Sequence, residues 1–84
     1  MDKQSVELLG VILKVGDRVR PIKSIMFLYC LVFRSDAIGT VYRINVFNDA
    51  YSEVYIEFML APGIFVQKSV KGYEFSRYYR KVDP

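Results

Sequence analysis

From Ser52 to Met59 the side chains alternate strictly, with Val54, Ile56 and Phe58 on one side and Glu53, Tyr55 and Glu57 on the other. A period of two is the signature of a strand with one buried and one wet face. Ala37 to Phe47, just upstream, reads as a second strand. Asn48-Asp49-Ala50 separates them, and Asn and Asp tolerate turn geometry that other residues resist. The pair predicts an antiparallel hairpin. Val41, Ile44, Val54, Ile56 and Phe58 should be buried in one core with Val19.

The rest of the chain is short runs broken by turn residues. In Ser5–Val15, Leu9, Val11, Leu13 and Val15 alternate as in a strand, while Ser5–Leu9 also fits the start of a short helix. Gly10 would keep such a helix short, since Gly costs about 1 kcal/mol in a helix interior. Gly16-Asp17 turns into Arg18-Val19-Arg20-Pro21-Ile22, a strand that sits at an edge or ends at Pro21, which lacks a backbone donor. The apolar run Ile25–Phe33 is either a strand covered on both faces or a buried helical turn. Its aromatic and β-branched content favours the strand. Ser35-Asp36 is a turn, Ala61-Pro62-Gly63 another, and Ile64–Ser69 a short strand. Val70-Lys71-Gly72 reads as a turn, Tyr73–Tyr79 has no clean period, and Arg80–Val82 is a closing strand. Short strands at this spacing predict one all-β domain over residues 1–84, a barrel or a small sandwich.

Much chemistry is excluded. The chain has 84 residues, no His, no Trp and one Cys. Disulfide scaffolds, histidine-based zinc sites and His- or Cys-His-based catalysis therefore fall away together. Cys30 lies in the apolar run, where it should be buried and inert. Glu53 and Glu57 share a strand face, but two carboxylates on a wet face read as partners for Arg18 and Arg20 rather than as an acid–base pair. Asp17, Asp36 and Asp49 sit on separate turns and form no metal cluster. The expectation is no enzyme, no cofactor and no metal. The run Ile25–Phe33 is well short of the ~18–20 apolar residues that cross a bilayer. With a polar start at Met1–Ser5 and no signal-peptide pattern, a soluble cytoplasmic protein without membrane association is expected.

Twelve Lys and Arg against nine Asp and Glu give a net charge of +3. Several of these cations lie beside tyrosines. Cations contact phosphates and tyrosine rings stack on bases, the working pair of single-strand binders. Arg18, Arg20, Tyr42, Arg43, Tyr55, Arg77, Tyr78 and Arg80 are the candidate set for nucleic acid or another partner. A second candidate surface is apolar: Phe27, Tyr29 and Phe33, as a homodimer contact or a docking face for a larger protein.

Val15-Gly16-Asp17-Arg18-Val19-Arg20 resembles the opening strand of small SH3-like barrels, the group that includes KOW and Tudor-like domains. Ile38-Gly39-Thr40-Val41-Tyr42-Arg43-Ile44 is similar to their second strand and Val54-Tyr55-Ile56-Glu57-Phe58 to their third. Phe75 to Val82 resembles their closing element, a helical turn and a last strand. The resemblance spans Val15 to Asp83. It implies a barrel of five or six short antiparallel strands over residues 15–83, with residues 1–14 as an N-terminal strand or short helix and Ile25–Phe33 as an addition. Such barrels bind RNA, DNA, peptides or protein surfaces. The expected function is a small non-enzymatic binding module, nucleic acid being one partner. The alternative is an inhibitory or accessory protein of phage or mobile-element type, acting on a larger protein machine.

Overall fold

The computed structural model describes residues 1–22, 25–27, 31–33, 37–48 and 50–82. The strands in chain order are β1 (Asp2–Lys3), β2 (Ser5–Leu8), β3 (Val11–Lys14), β4 (Arg18–Pro21), β5 (Ile25–Phe27), β6 (Leu31–Phe33), β7 (Gly39–Asn48), β8 (Tyr51–Ala61), β9 (Ile64–Lys71) and β10 (Tyr79–Lys81). A 3-10 turn at Gly72–Glu74 and the single-turn helix α1 (Phe75–Tyr78) join β9 to β10. The protein is a small all-β domain of antiparallel sheets.

The main sheet runs β10-β4-β7-β8-β9. β7 is the member that pairs with three other strands. One edge of β7 pairs with β8. The other is divided, with Gly39 and Thr40 opposite β4 and Ile44 and Asn45 opposite β1. The expected hairpin is β7–β8. The Ala50 N–H donates to Asn48 Oδ1 at 2.8 Å in its turn, the local bond that makes Asn a turn residue.

The inward faces meet in one core. Val19, Ile44, Val54 and Ile56 are fully excluded from solvent, and Val41 and Phe58 nearly so. Each such side chain contributes roughly 1.5–3 kcal/mol through burial. Leu13, Phe75 and Tyr79 complete the core, the Tyr79 ring stacking on Phe75 at 5.7 Å and on Phe58 at 6.4 Å between centroids. Gly39 makes room for this packing. A Cβ there would lie 2.6 Å from Ile56 Cγ2 and 2.8 Å from Phe58 Cε1.

Three segments differ from the sequence reading. Ser5–Val15 is neither one strand nor a helix start but the hairpin β2–β3, with Leu9 and Gly10 both at positive φ in a two-residue turn. The alternation over Leu9, Val11 and Leu13 is accidental, because the chain reverses within it and only Leu13 of the three is buried. Within the run Ile25–Phe33, β5 and β6 pair with each other in antiparallel register. Tyr29 and Cys30, and the turn at Ser35-Asp36, lie outside the described residues. The strand expected over Ile64–Ser69 does not end at Ser69. β9 continues to Lys71 because Val70 and Lys71 still pair with Val54 and Glu53. No helix among the described residues is long and apolar enough to cross a membrane.

Candidate nucleic-acid interface

Alternation on β4 sends Val19 and Pro21 inward and Arg18 and Arg20 outward. β10 aligns Tyr79 with Pro21 on the core side and Arg80 with Arg20 on the outer side. Backbone bonds fix this register, the Ile22 N–H donating to the Tyr78 carbonyl at 2.9 Å and the Val82 N–H to the Arg18 carbonyl at 2.8 Å. They alternate two residues either side of Arg20 and Arg80. These two arginines are therefore a hydrogen-bonded antiparallel pair, with Cα atoms about 5.5 Å apart. Arg18 lies two positions along the same face. Among the described residues, no carboxylate engages Arg18, Arg20 or Arg80.

The carboxylates expected opposite them are occupied elsewhere. Glu53 accepts from the Tyr55 hydroxyl at 2.7 Å and from the Tyr51 hydroxyl at 3.0 Å. These two bonds hold its carboxyl below the usual range, and they raise both tyrosines. Glu57 accepts from Gln67 Nε2 at 3.3 Å.

The other candidates do not join the arginine row. Arg43 Nε donates to Asp2 Oδ1 at 2.9 Å, and its guanidinium lies over the Tyr55 ring at 5.1 Å. The Asp2 carboxylate raises its pKa, so the guanidinium stays charged and paired with it. A register shift between Val41 and Arg43 puts Tyr42 and Arg43 both on the wet side of β7, as a bulge does. Tyr42 then approaches Tyr55 at 6.1 Å. So Arg43 and Tyr55 belong to a self-satisfied group over β7–β8. Arg77 is exposed on α1, and Tyr78 lines a cleft beside β9. Phe27 and Phe33 fall on β5 and β6.

Sequence reasoning missed Asp2, Tyr51 and Tyr79. Asp2 reaches Arg43 only because β1 pairs with the far half of β7, which no local pattern announces. Tyr51 is two residues from Glu53 on one strand face, a spacing that does bring side chains together. Tyr79 is 2% exposed, and among the described residues its hydroxyl has no hydrogen-bond partner. Burial pushes its pKa up to about 12. Among the described residues no group of His, Cys, Asp and Glu is arranged to hold a metal ion.

No family model, curated protein or solved structure matches this chain.

Proposed function

We propose that this chain is a small non-enzymatic binding module that holds the backbone of single-stranded nucleic acid on the outer face of β4 and β10. The observation that carries this reading is the alignment of Arg20 with Arg80, with Arg18 beside them. Like charges directly opposite each other weaken a sheet. A bound polyanion reverses the sign of that interaction. The guanidinium is planar and matches phosphate oxygens two at a time, so arginine suits this use better than lysine. Tyr42 keeps its ring at the surface, 36% exposed, on the neighbouring strand, where a base can stack. Backbone contacts carry no sequence information, so recognition is sequence-independent. The strand order, with a helical turn before the last strand, supports the SH3-like reading.

Filter binding of oligouridine RNA and oligothymidine DNA across a salt series tests the proposal. Three neutralised phosphates give a log–log salt slope of about −2. Arg20→Ala with Arg80→Ala should bring it to about −0.7. No binding at low salt, or an unchanged slope in the double variant, overturns the reading and leaves a protein partner as the better one.

A further inference from the structure

The β8–β9 hairpin outruns the sheet that carries it. Pairing of β7 with β8 ends at Gly39 opposite Phe58. β8 and β9 continue together, with Met59 opposite Phe65 and Ala61 opposite Ile64, up to the turn at Pro62 and Gly63. Phe58 points into the core, so alternation turns Met59 and Phe65 to the outer face and Ile64 to the opposite one. All three are more than half exposed. The tip is therefore bare on both faces at once. Residues 58–66 include no polar side chain, and no charge lies between Glu57 and Lys68.

The register adds cations at the same end of the sheet. Val19 lies opposite Gly39, and Gly39 opposite Phe58. Neighbouring strands run antiparallel, so Arg20 and Met59 each stand one residue past that row in the same direction. Arg80 is level with Arg20. Both arginines are exposed, and no carboxylate among the described residues engages them. Glu57 lies on the other side of the row and accepts from Gln67.

A flat protein surface covers one face of a hairpin. Protein interfaces also carry about one hydrogen bond per 100–200 Å², and the side chains of this tip offer none. The acyl boundary of a bilayer surrounds both faces and asks for none. Anionic lipid phosphates supply the counter-charge for the arginines. The outer backbone edges of the tip still need polar partners, which limits insertion to the headgroup–acyl boundary, about 5–10 Å deep.

We propose that the protein docks end-on to an anionic bilayer, with the tip at residues 59–65 in one leaflet and Arg20 and Arg80 against lipid phosphates. The expectation of no membrane association rested on the lack of a spanning run, which such a tip does not need. The tip carries this proposal, which does not depend on the nucleic-acid reading.

The chain has no Trp, so Phe65→Trp reports on the tip alone. Vesicles of equal parts phosphatidylcholine and phosphatidylglycerol should shift its fluorescence to the blue, with quenching by acyl-brominated lipid. Tyr73→Trp, on the 3-10 turn, should not shift. Arg20→Ala with Arg80→Ala should raise the lipid needed for half-binding roughly thirtyfold, the worth of two cations at an anionic surface. Met59→Ser with Ile64→Ser changes exposed residues only, and should remove the shift while leaving oligouridine binding as it was. No shift of Phe65→Trp, an equal shift of Tyr73→Trp, or a shift that survives both serines overturns the proposal. So does a shift without vesicles that grows with protein concentration, which would make a second copy of this chain the occupant.

Discussion

Arg20 and Arg80 lie directly across from one another in the β4–β10 ladder, both exposed, with no carboxylate engaging either among the described residues. Function and stability should therefore pull in opposite directions at this pair. Arg80→Glu converts a repulsive pair into an attractive one and should stabilise the fold by about 0.2–1 kcal/mol. The same change should abolish oligouridine binding. Urea unfolding and filter binding on one preparation check both signs; loss of stability together with retained binding would falsify the role assigned to the arginines.

Gly39 should not accept a side chain. Its missing Cβ is replaced in space by Ile56 and Phe58, which are fully or almost fully buried and cannot retreat freely. Gly39→Ala should cost about 1–3 kcal/mol, the usual range for overpacking. The measurement is the shift in urea midpoint at constant m-value.

Leu9 should be improvable. It holds φ at 51° in the β2–β3 turn and is 81% exposed. A Cβ in the left-handed region costs a branched residue roughly 1–2 kcal/mol, and Asn relieves part of that through local bonding. Leu9→Asn should raise stability by about 1 kcal/mol by thermal unfolding. An unchanged or lower midpoint would mean the leucine makes a contact that offsets the strain.

Alkaline pH should unfold the protein partly through Tyr79. Its folded pKa of about 12 lies above the unfolded value of 10. Between those values the folded state holds a proton that the unfolded state has released, so stability falls as pH rises. The contribution is fully present below pH 10 and is lost through the window up to about 12, amounting to about 3 kcal/mol. Tyr79→Phe should flatten that slope. Tyr51 and Tyr55 are also raised, so a residual slope should remain.

The β7–β8 hairpin was legible because each of its signals is local: strict alternation, a turn with Asn48, and β-branched residues at the inward positions. Those inward positions, with Val19, form the centre of the core that Leu13, Phe75 and Tyr79 complete. The β2–β3 hairpin was hidden because Leu9 occupies a turn position normally marked by Asn, Asp or Gly. In Ile25–Phe33 the sequence between β5 and β6 holds no Gly, Pro, Asn or Asp, so an apolar run concealed two paired strands. The site divides the same way. Arg18 and Arg20 share a face by strand periodicity alone, which makes that half readable. Arg80 facing Arg20, and Arg43 captured by Asp2, depend on partners 60 and 41 positions away. Register between distant strands is set by the whole core and not by any short motif.

The β4–β10 ladder joins Arg18–Pro21 to Tyr79–Lys81. A pairing across so much chain is slow to form, because loop closure must precede any gain from the contact. β10 can dock only once the core face that receives Tyr79 exists. The opposed arginines come together only when this ladder closes, and before that the chain carries Arg20 without Arg80. On the proposed function, binding competence then waits for this ladder to close, and a chain that has not closed it offers only half of the arginine face.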